Sequence, residues 1–156
     1  MTFAQLPKQE AISSGHHIIR SLDRIMESLN GLNDKQLNYQ PPARGANSIY
    51  MIATHALASA EESLLKTING QPISRDRKQE FSARADAAAP LQQYWQQQRK
   101  QLQNVIDSLS ENELEREYRG ANGETLTGSA ILLTEALHIA EHLGQAEITR
   151  DLARSI

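Results

Sequence analysis

The sequence predicts an all-α protein, a four-helix bundle. Four long segments repeat apolar residues at alternating steps of three and four, the spacing that lines up one face of a helix. No segment alternates apolar and polar residues in the β-rich manner of a strand. Only 4% of the 156 residues are aromatic, seven in all, so the core must be aliphatic, which suits amphipathic helices packed on one another. The length is that of one domain, taken as 1–156.

Helix 1 is expected over roughly 4–30. Its seam is Ile12, Gly15, Ile19, Leu22, Met26 and Leu29, widened by Ile18 and Ile25, and it ends near Asn30-Gly31, a C-terminal signal. A polar loop with Pro41-Pro42 and Gly45 follows. Asn47 is the expected N-cap of helix 2, which carries Tyr50, Ala53, Leu57, Ala60, Leu64 and Ile68 on one face. Asn69-Gly70 and Pro72 stop it. Residues 69–85 hold Arg75-Asp-Arg-Lys78 and little apolar material, and are read as a surface connection.

Helix 3 is expected over about 87–109, capped at Asp86 or Ala89, with Pro90 tolerated in the first turn. Leu91, Trp95, Gln98, Leu102, Val105 and Leu109 form its seam, and Gln92, Gln93, Gln96 and Gln97 form a solvated face. Helix 4 runs from about Thr127 to Arg154, with an apolar stripe of Ala130, Leu133, Leu137, Ala140, Gly144 and Ile148. A faint internal echo accompanies these helices. Leu32-Asn-Asp-Lys-Gln-Leu37 follows helix 1 and Leu109-Ser-Glu-Asn-Glu-Leu114 follows helix 3, each with a capping residue, Asn33 or Ser110, answered three positions later by Gln36 or Glu113. Two related helical hairpins account for this, and so does convergent capping chemistry.

Composition narrows the function. With no cysteine, disulfides, thiolate zinc fingers, iron–sulfur clusters and a cysteine nucleophile are excluded. Any transition metal must be held by histidine and carboxylate. The net charge of −3 is spread without a basic stripe, which argues against nucleic acid as a partner. There is neither a signal pattern at the N-terminus nor a run of 18 apolar residues, so no membrane partner and a cytoplasmic location are expected.

The strongest chemical signal is His138-Ile-Ala-Glu-His142 in helix 4. Two histidines one turn apart share a face, so both imidazoles can reach one ion. This is not the metalloprotease arrangement, in which glutamate directly follows the first histidine. The pair sits on a mostly polar band, Thr127, Ile131, Thr134, His138, His142, Gln145 and Thr149, where a helix needing only a core would place Leu or Ala. In helix 2, His55 lies among small and apolar residues with Ser48, Ile52, Ser59 and Glu62 on its face. Three neutral imidazoles make a complete face for a divalent ion and leave positions open for water or substrate. Glu62 is the candidate catalytic residue, as a general base, an outer hydrogen-bond acceptor or a fourth ligand. Gln145 is placed to orient an imidazole or a bound water. The other nearby carboxylates, Glu61, Glu135 and Glu141, are read as mostly solvated. His16 and His17 are adjacent, point about 100° apart, and are assigned to the surface or the bundle rim.

These residues give the sequence a resemblance to the DinB/YfiT-like superfamily of bacterial four-helix bundles. It rests on Thr54-His-Ala-Leu-Ala-Ser-Ala-Glu-Glu62 and on Leu137-His-Ile-Ala-Glu-His-Leu-Gly-Gln-Ala-Glu-Ile-Thr-Arg-Asp-Leu152. Gly45-Ala-Asn-Ser-Ile49 and Gly70-Gln-Pro-Ile-Ser-Arg-Asp-Arg-Lys-Gln-Glu-Phe81 add to it. The resemblance covers essentially the whole chain. It implies an up-down-down-up bundle with a long crossover between helices 2 and 3, a divalent metal on His55, His138 and His142, and a homodimer. It also implies a metal-dependent hydrolase, or an S-transferase or isomerase that uses a low-molecular-weight thiol such as bacillithiol or mycothiol.

The functional expectation is therefore a metal-dependent enzyme acting on a small molecule. Thiol transfer ranks first and hydrolysis close behind, with zinc or nickel as the metal. The alternative is a metal-binding or stress-response bundle without turnover, and a third reading makes the histidines core groups only. Nitrogen-only ligation also suits iron or copper.

Overall fold

The computed structural model describes residues 7–120 and 122–156. Its elements in chain order are α1 (Lys8–Glu27), α2 (Asp34–Leu37), α3 (Ile49–Ala60, continuing as a π-helical segment over Glu61–Ile68), α4 (Arg77–Glu80), α5 (Ala89–Ser108), α6 (Glu111–Glu115), β1 (Glu117–Arg119), β2 (Thr125–Thr127) and α7 (Gly128–Ala153). The four long helices form the expected bundle.

Side-chain pairings fix the directions. Arg24 meets Glu147 and Arg154 meets the Asn30 carbonyl, so α1 and α7 run parallel. Met26 and Asn30 accept from Gln92, while His16 bonds Asp107, so α5 is antiparallel to α1. Ser63 bonds Glu135, and Ile52 shares a cavity wall with Gln145 and Thr149, so α3 is antiparallel to α7. The order is up-down-down-up. Because α3 and α5 are parallel, the chain must return the length of the bundle between them, and residues 69–88 make that crossover.

The aliphatic seams account for most of the core. On α1 Gly15, Ile18, Ile19, Leu22, Ile25 and Met26 are buried, and Leu29 just beyond the helix is buried with them. On α3 and its extension the whole expected seam is buried except Tyr50, which is half-buried. On α5 Leu91, Trp95, Leu102 and Val105 are buried and the seam's Gln98 is half-buried; on the expected solvated face Gln93, Gln96 and Gln97 are exposed and Gln92 is half-buried. Asp23 accepts from Trp95 Nε1 at 3.0 Å and from Arg99, which ties α1 to α5 beside the single tryptophan. Both capping turns are present as read: Asn33 with Gln36 and Ser110 with Glu113 form complete capping boxes.

Besides the cap of α5, which is Ala88 rather than Asp86 or Ala89, four boundaries and faces differ from expectation. Helix 1 starts at Lys8 and ends at Glu27; the expected start at residue 4 lies outside the described residues. The cap of α3 is Ser48 rather than Asn47, its Oγ accepting from Met51 N at 3.2 Å. A two-stranded hairpin, Tyr118 opposite Leu126, precedes α7 where no strand was expected. Three-residue strands are too short to show alternation, and this one turns at Gly123, whose φ of 85° favours glycine.

The fourth difference concerns α7. Its expected apolar stripe faces outward in part, with Leu137 63% and Ile148 65% exposed and Gly144 also exposed. The buried stripe is Leu132, Ala136, Ile139, Leu143, Ala146, Thr149 and Ala153. Both stripes step by threes and fours, so periodicity cannot choose between them. Packing against α1 and α3 decides the choice. Among the described residues no helix is long and apolar enough to cross a membrane.

Candidate metal centre

The antiparallel pair α3 and α7 brings the three sequence-predicted histidines together. One ring nitrogen from each of His55, His138 and His142 lies within 4.8 Å of the others. Ring centroids are 5.5 Å apart for His55–His138, 4.8 Å for His55–His142 and 4.5 Å for His138–His142, each pair nearly perpendicular. His55 is buried and the other two are half-buried.

Outer partners set which nitrogen faces inward. His55 Nδ1–H donates to Glu80 Oε2 at 2.8 Å, leaving Nε2 for the cluster. His142 Nδ1–H donates to Gln145 Oε1 at 2.9 Å. The same amide donates through Nε2 to Glu141 Oε1 at 3.3 Å, which fixes its orientation. The consequence is a bare lone pair on His142 Nε2, an atom that is buried and has no hydrogen-bond partner. An orphaned imidazole nitrogen facing two others is costly in a core and is what a divalent metal satisfies.

Protonation agrees with that donor set. Burial pulls the His55 imidazole down to about 4 even though Glu80 favours its charged form. Burial also lowers His138 and His142. All three rings are therefore neutral at neutral pH, the form that ligates metals. The residues fit a divalent transition ion. Nothing in the ligand set selects one metal from the nitrogen-preferring group.

Arg75 organises the layer behind His55. Its Nε and Nη2 donate to Glu80 Oε1 and Oε2 at 2.7 and 2.9 Å, a two-pronged grip, while Nη1 donates to Glu62 Oε2 at 2.7 Å. The three side chains are 10%, 6% and 15% exposed. Burial pushes the Glu80 carboxyl up, and the bonds from Arg75 and His55 outweigh it, leaving Glu80 ionised and lowered. Phe81 covers the His55 ring at 4.6 Å.

Of the remaining predicted residues, Gln145 meets a cluster imidazole directly. Glu62 is bonded to Arg75 and lies 3.6 Å from Lys66, with the Arg75 guanidinium between it and Glu80. His16 pairs with Asp107 on the rim, away from the centre. Glu61 and Glu135, read as mostly solvated, are both buried.

Arg75 and Glu80 are absent from the expected site because 69–85, with little apolar material, reads as a surface connection. One available signal was Asp76, whose carboxylate caps α4 by accepting from Lys78 N and Gln79 N. A capped turn there places Glu80 at a helix end rather than in open loop.

A family model, the DinB superfamily, matches residues 17–146. Three solved structures share the fold. A conserved protein from Enterococcus faecalis is 14% identical, with a TM-score of 0.71 over 92% of this chain and 96% of its own. YfiT from Bacillus subtilis, described as a probable metal-dependent hydrolase with an unusual four-helix bundle topology, is 13% identical, with a TM-score of 0.74 over 96% and 90%. The mycothiol-dependent maleylpyruvate isomerase, solved as a histidine-to-alanine mutant, is 15% identical, with a TM-score of 0.68 over 93% of this chain and 62% of that one. No curated protein sequence matches the chain.

Proposed function

We propose, from the premise that the chain belongs to the DinB superfamily, that it is a metal-dependent enzyme. In this reading it transfers a low-molecular-weight thiol onto a small electrophile, with hydrolysis of a small molecule as the second reaction. His55, His138 and His142 hold a divalent transition metal, zinc or nickel. The observation that carries the reading is the trio of neutral imidazoles, two of them with Nδ1 tied back so that Nε2 is presented. The bound metal supplies Lewis acidity, which lowers the pKa of a thiol or water and polarises an electrophile.

The chain's own residues provide the rest. Glu80 fixes the His55 tautomer and raises its basicity, as carboxylates behind metal-ligating histidines do. Glu62 acts through Arg75, holding the guanidinium that holds Glu80. Gln145 orients His142. The fold similarity to a mycothiol-dependent isomerase and to a metal-dependent hydrolase supports both reaction classes. Since the chain has no cysteine, the reacting thiol comes from a cosubstrate. The protein is taken to act in the cytoplasm as a homodimer; exposed Leu137 and Ile148 on α7 offer it an apolar contact face.

Elemental analysis of the purified protein, followed by a screen of thiols against electrophiles, tests the reading. Stoichiometric metal that disappears in His138→Ala, together with thiol-dependent turnover, is expected. Retained metal binding without turnover in a broad screen would favour a non-catalytic metal-binding bundle. Absence of uptake of either zinc or nickel would remove the proposal.

A further inference from the structure

A cavity of about 230 Å³ opens at the hairpin end of the groove between α3 and α7. Leu126 of β2 and Ile131 of α7 give it an apolar wall, and Ser59, Ser63 and Glu135 give it a polar one. Ser59 stands four residues after His55 and Glu135 three before His138, so the polar wall begins about one helical turn from the histidine cluster. The volume holds a reactant on the order of ten non-hydrogen atoms, given about 30 Å³ for a water.

Glu135 is the unusual group. It is 6% exposed and lies outside the three-histidine set. Its Oε2 accepts from Ser63 Oγ at 2.8 Å, and its Oε1 is buried without a partner. No cation bonds it. Burial raises its carboxyl pKa, in keeping with the neutral form. A carboxylic acid turns about its last bond over a broad, soft torsion, so the O–H can face the cavity while the other oxygen keeps Ser63.

The charges lining the cavity give no net attraction to an anion. Arg75 is committed to Glu62 and Glu80. Arg77 shares the lining with Glu124, of opposite sign. Arg75 and Arg77 are thus balanced in number by Glu62 and Glu124, so the lining holds no net positive charge to offset an anion, and the acid's hydrogen bond goes to a neutral acceptor.

We propose that this cavity binds the carbonyl end of a small neutral molecule, such as an amide or ester, with the Glu135 carboxyl donating to the carbonyl oxygen. That the bound molecule is the electrophile of the reaction rests on the metal-centre reading above; the binding itself does not.

The test is a titration of ¹⁵N-labelled protein with N-methylacetamide, acetate and methylammonium, with and without zinc. N-Methylacetamide is expected to move the amides of Ser63, Leu126 and Ile131 in both forms, and the two ions are not. Glu135→Leu should weaken this by about tenfold, the loss of one hydrogen bond to a buried acceptor. Glu135→Gln, which keeps a neutral donor, should stay within about twofold. Leu126→Trp, which fills the cavity and leaves the buried acid in place, should abolish the shifts. Acetate binding as tightly as the amide would overturn the proposal. So would unchanged affinity in Glu135→Leu, equal loss in Glu135→Gln, or shifts persisting in Leu126→Trp. Failure of zinc uptake with amide binding intact would remove the metal-centre reading and leave this one standing.

Discussion

Removing Glu80 should damage stability and metal affinity by separable routes. In Glu80→Leu, Arg75 loses two of its three carboxylate bonds and keeps only Glu62, while His55 Nδ1–H loses its acceptor. Breaking one side of a buried ion pair costs about 3–5 kcal/mol. With Arg75 only 10% exposed and Glu62 still in place, about 3 kcal/mol is expected. For a domain of this size that lowers Tm by about 6–12 °C. Zinc affinity should fall by about 10–100-fold, the usual effect of losing a carboxylate behind a ligating histidine. Urea unfolding of the metal-free protein measures the first effect, and competition against a chromophoric chelator measures the second. The double variant Arg75→Met/Glu80→Leu removes the uncompensated cation, so it should regain about 1–2 kcal/mol of stability. It should not regain zinc affinity, because His55 still lacks its acceptor. If Glu80→Leu matches the wild type in both measurements, or the double variant recovers affinity, the network does not work as described.

Three further predictions follow from the same geometry. Zinc at a hundredfold excess over its Kd should stabilise the protein by about 2.7 kcal/mol, read as a rise in Tm that His138→Ala abolishes. The metal-free protein should lose stability as pH falls from about 6.5 toward about 4. The His55 pKa is lowered to about 4 in the fold, so its contribution is full above the unfolded value near 6.5 and drains away as the unfolded ring takes up a proton first. Chemical denaturation across that range checks it, and in His55→Gln the slope should flatten. Finally, a Cβ on Gly128 would collide with the Glu113 carbonyl oxygen and stand 3.1 Å from Leu114 Cα. Because the obstacle is backbone, Gly128→Ala should destabilise by about 1–3 kcal/mol, measurable by urea unfolding.

The parts of the molecule that were legible in the sequence are those with a period. The α1 seam from Gly15 to Met26 lies in the core as its spacing predicts. The three histidines converge because His138 and His142 share a face and His55 lies on the helix packed against it. Legibility failed on α7, where apolar residues occupy two faces and only the neighbouring helices choose between them. It failed again in the crossover. Glu80 meets His55 across 25 positions of chain, and no local pattern encodes so distant a contact. The burial of Glu135 is not legible either, because acidic residues are usually at the surface. Glu135 bonds Ser63 and lines one cavity with Leu126 and Ile131, neighbours that only the tertiary fold brings together.

The crossover carries one further consequence. Glu80 reaches His55 only while residues 69–88 are docked on the bundle, so on the proposed metal-binding reading a tight grip on an ion and a docked connection are one equilibrium read at two places. Linkage makes the effect mutual: an ion favours docking, and docking favours the ion by the same factor. Substitutions far along this strap would then tune how readily the proposed centre gives up a metal, without altering any of the three histidines.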